Sequence, residues 1–107
     1  MAEWIYFLHP PREDFAATMT AEEEAVWAVH FERFQRAMAD GMLILVGPTF
    51  GRINTGIAIF EAPDEASARR FMEEDPVIAG GFATGELRPF RDCAVQSEGR
   101  PEPDRTA

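Results

Sequence analysis

The sequence predicts an α+β fold: a ferredoxin-like βαββαβ sandwich, with a four-stranded antiparallel-type sheet and two helices on one face. Three observations carry that expectation. Short runs rich in β-branched and aromatic residues recur along the chain. Two stretches have apolar residues at three- and four-residue steps. The two kinds of segment alternate as strand, helix, strand, twice over.

The first strand is expected over residues 3–8, where Trp4-Ile5-Tyr6-Phe7-Leu8 runs into His9-Pro10-Pro11; the prolines lack donors and stop strand pairing. A helix follows over about 21–40. Thr20 and Glu23 form a capping box, Val26, Trp27, His30, Phe31, Phe34, Ala37 and Met38 share one face, and Gly41 is placed to close it. The apolar run Met42–Val46 ends at Gly47-Pro48 as a second strand, and Ile57–Phe60 is a third. Pro63-Asp64-Glu65 opens a second helix, acidic at its positive end, with Ala66, Ala68, Phe71 and Met72 on its inner face until Glu74. A Val77–Phe82 segment leads to a last strand over about 86–95, whose Pro89 places it at an edge. Residues 1–95 thus form one domain, and 96–107, polar and proline-containing, form a disordered tail.

Composition excludes several functions. The chain has 107 residues, a net charge of −9 and ten basic residues, all arginine. Without lysine there is no Schiff-base amine and no Walker-type phosphate grip. The acidic surface offers no basic stripe for nucleic acid. A mean hydropathy of −0.23 and the lack of a long apolar run argue against a membrane span, and the amino terminus reads as a strand and not as a leader, so a cytoplasmic location is expected. Cys93, the one cysteine, excludes an internal disulfide and a cysteine-based metal cluster and reads as a small buried strand residue. His9 reads as a loop residue. No metal and no cofactor are expected.

Trp4–Leu8 and Met42–Val46 are apolar at successive positions, so both sheet faces need cover, whereas a single layer of helices covers one. The expectation is a homodimer whose sheets pack face to face into a barrel-like assembly.

Two titratable residues stand out. His30 lies on the apolar face of the first helix with Trp27 and Phe34, where an imidazole can move protons near neutral pH; the plain alternative is a core histidine satisfied by a backbone carbonyl. Asp75 precedes a proline at a helix end, where the dipole disfavours a carboxylate. Either it is a surface helix stop, or it accepts a hydrogen bond from one ring nitrogen of His30 and leaves the other for a substrate proton. The remaining carboxylates read as solvated. Trp27, Phe34, Gly47, Pro48 and Asn54 are expected to line the binding site, although Gly47-Pro48 and Gly80-Gly81 also suit tight packing and Asn54 suits a bulge.

Taken in order, Ile5-Tyr6-Phe7, His30-Phe31-Glu32-Arg33-Phe34, Asp40-Gly41-Met42-Leu43 with Gly47-Pro48, Ile59-Phe60-Glu61-Ala62 running into Asp64-Glu65-Ala66, Asp75-Pro76-Val77-Ile78-Ala79-Gly80 and Leu87-Arg88-Pro89-Phe90 resemble the YCII-related (YciI-like) family of the dimeric α+β barrel superfamily. The resemblance spans about residues 3–92. It implies a ferredoxin-like protomer, a homodimer, and a site built on a histidine and an aspartate that fall on His30 and Asp75. It also implies cofactor-independent acid/base chemistry, as a lyase, isomerase or hydrolase acting on a small organic molecule. The stretch between the first strand and His30, with Pro10, Pro11 and Phe15, is longer than the family pattern and is expected to reshape the pocket mouth, so the family's substrates do not carry over directly. The alternative from another class is a non-catalytic dimeric module that binds a small molecule or regulates; a cofactor-free oxygenase is a third.

Overall fold

A computed structural model describes residues 1–96; of the expected tail, 97–107 lie outside the described residues. The elements are β1 (Ala2–His9), α1 (Phe15–Thr18), α2 (Ala21–Ala39), β2 (Leu43–Pro48), β3 (Gly56–Ala62), α3 (Glu65–Glu73), α4 (Pro76–Ala79) and β4 (Thr84–Phe90). The sheet order is β2-β3-β1-β4, with all three pairings antiparallel. This is the ferredoxin-like arrangement expected, with α2 and α3 on one face.

Local chemistry explains the long helices. Glu23 N–H donates to Thr20 Oγ1 while Glu23 Oε1 accepts from the Thr20 N–H, so the capping box of α2 is complete. Gly41 sits just past the end of α2 at φ 86, the left-handed position that a side chain would strain. Asp64 caps α3 through Ser67 N–H.

The register puts Trp4 opposite Phe60 and Tyr6 opposite both Ala58 and Leu87. Strand alternation then sends Trp4, Tyr6, Leu8, Ala58 and Phe60 toward the helices, where Phe34, Ala37, Ala68 and Met72 complete the core. Tyr6 stacks among Phe34, Phe60 and Phe71 with ring centroids 5.8–6.3 Å away. Ile5, Phe7, Leu45, Ile57 and Ile59 take the other face by the same alternation.

Several expectations change. The unbroken run Met42–Val46 contains a bulge between Leu43 and Leu45, which leaves Ile44 exposed. β2 continues through Gly47 and Pro48 because it is an outer strand, where a proline costs no pairing on its free side. β4 runs 84–90 and not 86–95, and Pro89 does lie in an edge strand. It stops at Phe90, opposite Glu3, because β1 offers almost no further partner. Cys93 therefore falls beyond the strand and is exposed, not buried. His9 ends β1 and is not in a loop; its Nε2 lies 3.1 Å from Glu86 Oε1. Phe31, Met38 and Ala66, assigned to inner faces, are exposed. α1 and α4 were not foreseen, since four-residue helices are too short to show a period.

Candidate functional site

Asp75 joins α3 to α4 and is fully buried, which rules out the surface-stop alternative. It lies just past the C-cap of α3 and at the same time is the N-cap of α4, where Val77 N–H donates to its Oδ1 at 3.2 Å. The dipole argument against a carboxylate here is thus corrected: the next helix begins at this residue and favours the charge.

Two more donors converge on the same carboxylate. Tyr6, carried inward by β1, donates its hydroxyl to Asp75 Oδ2 at 2.7 Å. His30, carried by α2, places Nδ1 2.8 Å from both Asp75 oxygens. The imidazole is 3 % exposed and is wedged against Phe34, Phe31 and Trp27, with ring centroids 4.3, 5.2 and 6.0 Å away. Its partner is a carboxylate and not the lone backbone carbonyl of the plain alternative. An ionised carboxylate only accepts, so Nδ1 carries the hydrogen and Nε2 is the ring's free position. Nε2 has no hydrogen-bond partner among the described residues.

Electrostatics follows from this packing. Burial pushes the Asp75 carboxyl upward, but the hydrogen bond from His30, with the Tyr6 and Val77 donors, holds it below its ordinary value. Burial raises the Tyr6 phenol far above its usual range, and the Asp75 charge raises it further, so Tyr6 stays a protonated donor.

His30 borders a cavity of about 510 Å³. Trp27, Phe34, Gly47, Pro48 and Asn54, the five residues expected to line a site, all border it. Asn54 does so with its amide engaged: Oδ1 accepts from Ala16 N–H, and Nδ2 donates to Thr49 and Gly51 carbonyls. It shapes a wall and offers little to a ligand. A Cβ at Gly47 would meet nothing within 4 Å, so packing does not require that glycine. Gly80 and Gly81 end α4 away from the cavity lining, Gly81 at φ 78.

Two features escaped sequence reasoning. Tyr6 is one; its signal was a single tyrosine in an inward position of an apolar strand. The other is Glu23, grouped with the solvated carboxylates; it is largely buried and paired with Arg12 at 2.7 Å. The long stretch before His30, expected to shape the pocket mouth, contributes Pro10, Phe15, Ala16 and Met19 to the lining. Among the described residues, no three His, Cys, Asp or Glu side chains gather in a metal-holding group, and no helix is long and apolar enough to cross a membrane.

Comparison with known proteins matches the family model of the YCII-related domain to residues 4–91. No curated protein matches the chain. Among solved structures, it resembles 5-chloro-2-hydroxyhydroquinone dehydrochlorinase from Burkholderia phenoliruptrix AC1100 in complex with 2,5-dihydroxybenzoquinone. The TM-score is 0.63 at 19 % identity, covering 85 % of this chain and 94 % of that one. At that identity the likeness concerns the fold.

Proposed function

This chain belongs to the YCII-related family, and from that premise we propose that it is an acid/base enzyme, working without a cofactor, that acts on a small organic molecule. The observation that carries the reading is a buried carboxylate–imidazole pair on a histidine that borders an apolar cavity and whose second ring nitrogen has no partner among the described residues. His30 Nε2 takes a proton from the bound molecule. Asp75 orients the ring and stabilises the imidazolium that forms, and Tyr6 anchors Asp75. The same Nε2–H then returns the proton to a leaving group, as in a lyase, or to another atom of the substrate, as in an isomerase; a hydrolase would use it to activate water. Elimination is the branch that the neighbouring dehydrochlorinase suggests.

Trp27, Phe34, Gly47, Pro48 and the Asn54 wall bind the substrate's apolar body. Among the described residues Glu24 borders the cavity and no arginine does, so the occupant is a compact, largely apolar molecule with one weakly acidic proton and no phosphate. The exposed or half-buried Phe7, Leu45, Ile57 and Ile59 favour a homodimer through the open sheet face.

The test is turnover, read as chloride release from 5-chloro-2-hydroxyhydroquinone and as solvent deuterium exchange into a panel of small phenols and enols. His30→Gln should lower the rate about 10²- to 10⁴-fold with the protein still folded by circular dichroism. Turnover unaffected by the substitution sinks the proposal. The deep burial of His30 favours a second reading, a binding module, which calorimetric binding without product would identify.

A further inference from the structure

Access to His30 is the question its burial raises, and the Pro10–Met19 segment bears on it. Of the four residues in α1 only Phe15 is buried; Ala16, Ala17 and Thr18 are exposed. Phe15 lies against Trp27 with ring centroids 4.6 Å apart, and the Arg12 guanidinium sits 5.2 Å from the centre of the Phe15 ring. Arg12 is itself clamped. Its Nη1 and Nη2 donate to Glu23 Oε2 and Oε1 at 2.8 and 2.7 Å, a two-pronged fork, and its Nε donates to Thr18 Oγ1 at 3.1 Å.

Glu23 is fixed by the capping box of α2, so the fork ties the segment to a rigid helix end. Three further ties reach the β2–β3 connection: Asp14 N–H to Arg52 O at 2.8 Å, Ala16 N–H to Asn54 Oδ1 at 3.1 Å, and the exposed Glu13–Arg52 ion pair at 3.5 Å. Asp14 holds φ 53, a left-handed conformation that costs a non-glycine residue energy and is kept by its surroundings. A segment held by one aromatic anchor and a few polar ties has fewer contacts to break on opening than the sheet or α2.

We propose that residues 11–19 are a lid over the cavity, seated by Phe15 and latched by the Arg12–Glu23 fork, and that this latch controls access to His30. The inference rests on reading the cavity as the ligand site. The Arg12 partner holds the Glu23 carboxyl at about 2, so the latch stays charged at neutral pH.

The experiment uses the full chain and needs no substrate. Glu23→Gln removes the charge yet keeps a residue competent for the capping box, and Arg12→Ala removes the fork. Amide hydrogen exchange of residues 11–19 should accelerate about tenfold in both, with β1 and α2 unchanged. Diethyl pyrocarbonate labelling of His30, read by peptide mass, should rise several-fold. His9, 42 % exposed at its side chain and outside the lid, is the internal control. An unchanged His30 labelling rate in both variants overturns the lid, whatever the segment's exchange does. Equal acceleration of His9 and His30 also overturns it, because general loosening would then be the cause. Failure of the acid/base reading would appear separately, as turnover independent of His30.

Discussion

Tyr6→Phe removes one oxygen from the middle of the site and little else. The ring keeps its contacts with Phe34, Phe60 and Phe71, so no cavity of consequence opens. What disappears is a 2.7 Å hydrogen bond from a fully buried hydroxyl to a fully buried carboxylate. Hydrogen bonds to charged groups contribute about 1.5–3 kcal/mol. Taking about 2 kcal/mol, and 4–8 °C per kcal/mol for a domain of this size, the melting temperature should fall by roughly 8–16 °C. Asp75→Asn should cost more, since its amide turns a donor toward Tyr6 or His30, both already donating. In the Asp75→Asn background the Tyr6→Phe loss should shrink by about 0.5–3 kcal/mol, because both changes break one contact. Urea unfolding followed by circular dichroism at pH 7 measures all four corners of the cycle. A Tyr6→Phe protein within about 0.5 kcal/mol of the parent, or strictly additive losses, would refute the view that Tyr6 anchors the carboxylate.

The remaining predictions concern charge, backbone and assembly. Hydrogen bonds from Arg12 and from the Thr20 backbone hold the Glu23 carboxyl at about 2 against an ordinary 4.5. Its stabilisation is therefore complete above about pH 4.5 and lost as the pH falls from there through 2, so Arg12→Ala should flatten that part of an acid-unfolding curve; an identical curve would contradict the pairing. Asp75 is likewise held below its ordinary 3.8, so its share is present above that pH and lost as the pH falls through its lowered folded-state value, and Asp75→Asn should abolish it. Gly81→Ala, at φ 78 with open space around a Cβ, should cost about 1–2 kcal/mol from backbone strain alone. Gly47→Ala, equally open but at ordinary φ, should cost under about 0.5 kcal/mol, and equal losses would show that φ is not the cause. Sedimentation velocity at micromolar concentration should find the parent protein dimeric and Ile59→Glu monomeric, and a monomeric parent would dismiss the sheet-face dimer.

Much of the fold was legible because its signals are local. The α2 capping box and three-to-four spacing lie within one stretch of chain, and they placed His30 and Phe34 inward before any contact was known. The alternation of strand and helix named the topology. Where signals were short, the reading failed: α1 and α4 have four residues each, and the end of β4 depends on where β1 runs out and not on its own residues. The reason for singling out Asp75 is overturned, since the cap it forms belongs to a helix that no period reveals.

The sequence by itself determined the two long helices, the existence of four strands, and which two titratable residues merit notice, because propensity, capping and periodicity act over neighbouring residues. Only the tertiary structure decided that Tyr6, His30 and Val77 would meet on one carboxylate, that Arg12 would reach Glu23, and that Phe15 would close a cavity wall. Those contacts depend on strand register and helix packing, which bring residues as far as 69 positions apart to within 2.7 Å, and no local pattern in the chain encodes that distance.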